Sequence, residues 1–220
     1  CLLEILRQAR NCDNGRIYYV SPSYRMSKEI MWKQLKKMVK KLRWEKYINE
    51  SDLTVVLVNN CQISLKGADK TRDSLRGVGL QFLVLDEFSD IPEEAWTEVL
   101  RPTISDKYVN GKVLFVGTPR GYGNWSYDMF QRGQSGDPEW QSWKYTTIEG
   151  GQVEAHEIDQ AKKDLDARSF RQEYEASFGT YAGVVYYNFD RAKNVKPVQY
   201  DPNAIIHVGM DFNINPVTAC

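Results

Sequence analysis

Histidine and cysteine are scarce in this chain of 220 residues, with two of the former (His156 and His207) and four of the latter (Cys1, Cys12, Cys61 and Cys220). Two histidines leave little basis for a His-centred metal site or a Ser/His triad. The cysteines lie far apart with no C-x-x-C pair, which excludes a zinc knuckle and a dense disulfide framework. No apolar run approaches the roughly 18 residues of a membrane span, and no basic-then-apolar signal pattern opens the chain. Net charge is missing too, because 29 basic residues balance 29 acidic ones. That excludes a uniformly basic nucleic-acid coat but leaves room for a local basic face.

What is present is enough for a core. Hydrophobic residues make up 42%, aromatics 12% and charged residues 26% of the chain, a balance that predicts a soluble, cytosolic globular protein rather than a disordered one. The chain begins at Cys1 directly in a helical-looking segment without a cap and stops at Cys220 just after a predicted strand. Both ends are therefore expected to be cut from a longer polypeptide.

Short apolar runs alternate with longer amphipathic stretches, the rhythm of an α/β fold. Strands are predicted at Ile17 to Val20, Phe82 to Leu85, Val113 to Val116, Ser142 to Thr147 and Ile205 to Phe212, with a short one at Val184 to Tyr187. Asn59-Asn60 is expected to turn a hairpin between Thr54 to Val58 and Gln62 to Leu65. A long helix is predicted from Tyr24 to Tyr47, with Met31, Leu35, Met38, Val39 and Leu42 on one face. Its other face carries Lys33, Lys36, Lys37, Lys40, Lys41 and Arg43, a solvated face or a phosphate-contacting one. Further helices are expected near Tyr127 to Arg132, Ala155 to Leu165 and Ser169 to Phe178. Trp140, Trp143 and Tyr145 are expected in the core or on a sheet face.

Phe82-Leu83-Val84-Leu85-Asp86-Glu87 is the most informative segment. Two adjacent acids inside a buried strand would leave a charge unpaired, so they belong at its carboxyl end, facing the crevice where open α/β sheets bind ligands. There an Asp can hold Mg²⁺, and the following Glu can orient or deprotonate a water. This is a Walker B arrangement, although four apolar residues and Asp-Glu can equally be a strand ending in a solvated turn. Val113 to Val116 ends in the same manner at Gly117-Thr118-Pro119, where a Thr hydroxyl could sense a γ-phosphate, or where turn formers simply turn the chain.

These residues resemble a known family. Leu85-Asp86-Glu87-Phe88, Val116-Gly117-Thr118-Pro119-Arg120-Gly121 and Asn124 to Phe130 resemble the large terminase subunit of tailed bacteriophages. So do Tyr19-Val20-Ser21-Pro22-Ser23-Tyr24-Arg25 upstream, Gly67 with Asp73-Ser74-Leu75-Arg76-Gly77, Phe170 to Tyr174, and Val208 to Asn213 with Pro216. The segments follow one another in the family's order.

The resemblance implies a RecA-like P-loop NTPase domain, a mainly parallel sheet flanked by helices, over residues 1–178. A bridge over 179–203 and the first strand of an RNase H-like nuclease domain over 204–220 would follow. It implies ATP hydrolysis that drives double-stranded DNA into a procapsid, and Mg²⁺- or Mn²⁺-dependent cutting of concatemeric DNA. Asp86 would be the Mg²⁺-associated carboxylate and Glu87 the catalytic one. Thr118 would couple hydrolysis to motion, Arg76 would act on a neighbouring subunit's nucleotide, and Asp211 would bind the nuclease metal. Implied partners are the portal protein, the small terminase subunit and copies of the chain in a ring, with no membrane and with the host cytoplasm as location.

The chain departs from the family in having no G-x-x-x-x-G-K-[ST] loop. Gly67-Ala68-Asp69-Lys70-Thr71 imitates its tail, but Asp69 replaces the required Gly. This fragment by itself is therefore expected to be inactive. A different RecA-like translocase or helicase, or a non-catalytic remnant that binds partners or DNA, are the alternative readings. Arg76 could instead pair with Asp73 on its own chain.

Overall fold

A computed structural model describes residues 1–69, 75, 77–105 and 110–179, with the backbone of two short strands further on. The chain divides into two compact units, Cys1–Ala182 and Gly183–Cys220.

The first unit is built on a six-stranded sheet. Its strands are β1 (Arg16–Ser21), β2 (Glu45–Asn49), β3 (Thr54–Leu57), β4 (Gln62–Gly67), β5 (Phe82–Asp86) and β6 (Lys112–Val116), in the order β2-β3-β4-β1-β5-β6. The pairs β4–β1, β1–β5 and β5–β6 are parallel, whereas β2–β3 and β3–β4 are antiparallel. Phe82 and Val84 enter the core on one face and Leu83 and Leu85 the core on the other. A continuous apolar run is what a strand covered on both faces requires. Helix α1 (Leu2–Arg10) packs Ile5, Leu6 and Ala9 against the first face. Trp96, Val99, Leu100 and Trp125 cover the second.

The long predicted helix is helical from Tyr24 to Leu42, as α2 (Tyr24–Ser27), a π-helical turn (Lys28–Trp32) and α3 (Lys33–Leu42). Ser23 caps it by accepting the Met26 amide proton. Met31, Leu35 and Val39 are buried four residues apart, and Lys33, Lys37, Lys40 and Lys41 stay exposed. It ends five residues before the expected Tyr47, because Arg43 turns the chain in the left-handed region at φ 56°. Glu45–Asn49 then gains a ladder against β3, which helical periodicity cannot foretell.

Other expectations are corrected. Residues 142–146 form no strand: Thr146 instead caps α6 (Thr147–Gly150) through a reciprocal capping box with Glu149. Trp143 and Tyr145 are 59% and 70% exposed, so of that trio only Trp140 joins the aromatic core. The predicted strand from Val113 to Val116 forms and is half-buried, because β6 is the last strand at its side of the described sheet. The remaining helical segments are a short turn (Phe88–Asp90), a π-helical one (Ala95–Leu100), α4 (Arg101–Thr103), α5 (Trp125–Gln134), α7 (Ala155–Asp164) and α8 (Ala167–Glu173). The last stops short of the expected Phe178, after a start where Asp166 accepts from two backbone amides.

In the second unit β7 (Met210–Asp211) pairs antiparallel with β8 (Thr218–Ala219). The strand expected at Val184 to Tyr187 lies outside the described residues.

Candidate functional site

Parallel pairing sets the geometry. Asp86 is in register with Val116, so the residues following β5 and β6 emerge side by side at one edge of the sheet. Asp86, Glu87 and Thr118, some thirty residues apart in sequence, are brought together there.

Asp86 is half-buried. Its Oδ2 accepts a hydrogen bond from the Tyr19 hydroxyl, and its Oδ1 lies 4.0 Å from the Cys1 thiol at the N-terminal end of α1. Tyr19 is fully buried on β1. Burial, then the hydrogen bond to Asp86, then the charges of Asp86 and Glu87 push the phenol far above its ordinary range, so it remains a donor.

Glu87 adopts φ 49° and ψ 43°, the left-handed region that side chains with a Cβ avoid. Conformations of this kind cost of order 1–3 kcal/mol and persist only where the surroundings over-determine them. The constraint is visible. Gly117 lies so close that a Cβ there would stand 3.2 Å from the Phe88 nitrogen and 3.3 Å from the Glu87 Cα. Burial raises the Glu87 pKa above the ordinary carboxylate value. The Thr118 amide opposes this, the charges of Asp86 and Asp90 add to it, and Arg120 opposes it.

The next shell ties the two strand ends together. Ser89 Oγ donates to the Thr118 carbonyl at 2.8 Å, and Asn124 Nδ2 donates to the Ser89 carbonyl at 2.9 Å while its side-chain oxygen caps α5. Arg120 forks onto both Asp90 oxygens at 3.0 and 3.1 Å and reaches Glu173 of α8 at 3.3 Å. The Thr118 hydroxyl makes no hydrogen bond among the described residues.

Gly67–Asp69 is no phosphate cradle. The Asp69 carboxylate accepts the Tyr24 amide at 3.0 Å, and a Cβ on Gly67 would fall 2.0 Å from that nitrogen. Among the described residues there is no cluster of three or more His, Cys, Asp or Glu side chains that could hold a metal. A lone carboxylate still fits Mg²⁺, which takes most of its ligands from water and substrate phosphates. Arg76 lies outside the described residues. Asp211 sits on β7, and its side chain lies outside them too.

Sequence reasoning missed Tyr19, and it missed the Arg120–Asp90–Glu173 cluster. A hydroxyl inside the apolar run Ile17 to Val20 was the available signal for the first, since a fully buried hydroxyl needs a partner.

A family model described as terminase large subunit, T4likevirus-type, N-terminal, matches residues 3–193. The large terminase subunit of Escherichia phage T5 is 31% identical over 191 residues, covering 84% of this chain and 42% of that protein. That of Thermus virus P23-45 is 28% identical over 173 residues, covering 68% of this chain and 35% of its own length. The chain thus spans less than half the length of these curated relatives. Among solved structures, the large terminase ATPase domain of Thermus phage P74-26 superposes with a TM-score of 0.69 at 23% identity, covering 80% of this chain and 82% of that one. The large terminase of a thermophilic bacteriophage, solved in complex with ADP, gives 0.70 at 15% identity, covering 96% of this chain and 52% of that one. At such identities the structural likeness speaks for the fold, a RecA-like sheet with a parallel centre.

Proposed function

The chain belongs to the terminase large-subunit family, and from that premise we propose that it hydrolyses ATP at the converging ends of β5 and β6 as part of a phage DNA-packaging motor. The observation that carries this is the parallel register that sets Asp86 beside Val116 and brings Gly117 up against the Glu87 backbone. Glu87 is the residue that orients the attacking water and accepts its proton. A carboxylate pushed up by burial serves that role better near neutral pH than a fully solvated one. Asp86 is the residue that would hold Mg²⁺, directly or through water, and the ion when bound would neutralise charge on the β- and γ-phosphates. Phosphates would lie at the N-terminal end of α1, where free amides and the helix dipole favour anions. Supporting that position, Cys1 at this end stands next to Asp86. The phosphate-binding loop that the family carries ahead of this helix completes the site in our reading.

Thr118 senses the γ-phosphate, and its loop passes the change on through Ser89 and Arg120 to α8. Arg76 acts in trans on a neighbouring subunit in a ring. Double-stranded DNA is the moved substrate, with the portal protein and the small terminase subunit as partners in the host cytoplasm. Asp211 opens a nuclease site that takes Mg²⁺ or Mn²⁺, a role that rests on the family resemblance alone.

The test uses the full-length protein that carries this chain. Glu87→Gln is expected to lower ATP turnover by at least about 100-fold while ADP binding stays within a factor of two or three. Unchanged turnover would remove Glu87 from the site. In the same assay, Arg76→Ala subunits mixed with Glu87→Gln subunits should recover measurable hydrolysis, and a flat profile against mixing ratio would remove the trans role of Arg76.

A further inference from the structure

Tyr19 and Asp86 meet because of strand register. Tyr19 pairs with Val84, two residues before Asp86, on the neighbouring parallel strand. Two residues of a strand advance about 6.6 Å, a span that among hydroxyl residues only a tyrosine bridges. Side chains at i and i+2 share a face, and Tyr19, Phe82 and Val84 all lie in the core that α1 covers. The ring is therefore fixed by packing before its hydroxyl meets the carboxylate. At 0% exposure that hydroxyl has no water to bond to, and burying it without a partner would cost on the order of 1–3 kcal/mol. A phenylalanine would fill the same space at no such cost. Asp86 is its one hydrogen-bond partner among the described residues.

The bond makes the two carboxylate oxygens unequal. Oδ2 is held by Tyr19 inside the sheet, and Oδ1 is turned toward Cys1 and the N-terminal end of α1. We infer that Tyr19 is the positioning residue of the nucleotide site: its hydroxyl locks the Asp86 carboxylate so that Oδ1 faces the Mg²⁺–phosphate position. This rests on the reading of Asp86 as the Mg²⁺-associated carboxylate. It assigns Tyr19 the orienting role that outer-shell partners have at metal sites, where their loss costs about 10–100-fold in metal affinity or activity.

The experiment measures ADP binding by titration calorimetry in the full-length protein, at a series of MgCl₂ concentrations and in EDTA. Tyr19→Phe removes only the hydroxyl. Its expected signature is a rise of about tenfold in the Mg²⁺ concentration that half-maximally strengthens ADP binding, with affinity in EDTA unchanged. Asp86→Asn should raise the same Mg²⁺ requirement further, and the double variant should behave like Asp86→Asn alone. An unaltered Mg²⁺ requirement in Tyr19→Phe overturns the inference. So does an equal loss of affinity with and without Mg²⁺, or a loss of ADP binding in EDTA, because the hydroxyl then serves packing. If Asp86→Asn raises the Mg²⁺ requirement and Tyr19→Phe does not, only the role of Tyr19 falls. If Asp86→Asn leaves it unaltered, the reading of Asp86 falls and the inference with it.

Discussion

In the parallel half of the sheet, β1, β5 and β6 run the same way, so the residues after them collect at one edge. In the antiparallel flank, β3 runs against both β2 and β4, and its turns fall at both ends. The flank also reaches the core: Val55, Leu57, Ile63 and Leu65 are all 2% exposed or less. Yet its β3–β4 turn stitches the other end of β1, with Asn14 donating to the Asn59 carbonyl at 3.1 Å, far from Asp86. Strand direction, not depth of burial, decides where polar side chains can converge. The flank supplies core, and the parallel half supplies core and site together.

The largest expected effects separate the halves. Leu57→Ala in the flank should cost about 2–5 kcal/mol of stability, read by chemical denaturation, with turnover per folded molecule unchanged. Glu87→Gln should show the reverse, the loss of turnover given above with a denaturation midpoint no lower than wild type. If both variants lost stability and turnover alike, the division between the halves would dissolve.

A smaller effect is expected where the strand ends touch. Gly117→Ala forces the backbone at Phe88 and Glu87 to yield by a few tenths of an ångström. Turnover should fall by about tenfold, because small misplacements of reacting groups are costly, while stability shifts by about 1 kcal/mol. A normal rate in this variant would show that the close approach does not set the position of Glu87.

The smallest effect is a pH dependence. The folded-state pKa of Glu87 is raised, so its ionisation opposes folding. That penalty is absent below the ordinary Glu value of about 4.3 and complete once the pH has passed the raised one. Glu87→Gln should therefore gain stability relative to wild type as the pH climbs through this window and hold a constant lead above it. In the flank, Glu50 is lowered by its hydrogen bonds from Lys36 and then Trp32. Its contribution is present above the ordinary value and fades as the pH falls through the lowered one, so Glu50→Gln should show the opposite sign. Denaturation midpoints from pH 3 to 8 check both, and a pH-independent gap for Glu87→Gln would contradict the first.

Much of the fold was legible locally. The apolar runs mark β1, β5 and β6, and the four-residue spacing of Met31, Leu35 and Val39 marks the helix. Asp86-Glu87 announces itself because two acids cannot lie inside a buried strand. Misreadings arose where a segment's state depends on a distant partner. Glu45–Asn49 became a strand against β3, and residues 142–146 joined no strand ladder and led into a helix cap.

The sequence by itself determined the two strand ends and the acids that follow one of them, since periodicity and the cost of buried charge act over a few residues. Tertiary structure alone decided that Tyr19 would reach Asp86 across 67 residues, and that Arg120 would bridge Asp90 and Glu173 at separations of 30 and 53. It likewise decided that Gly117 would close on the Glu87 backbone. Such contacts follow from the order β1-β5-β6 and its parallel register, and that order comes from burying both faces of the sheet at once.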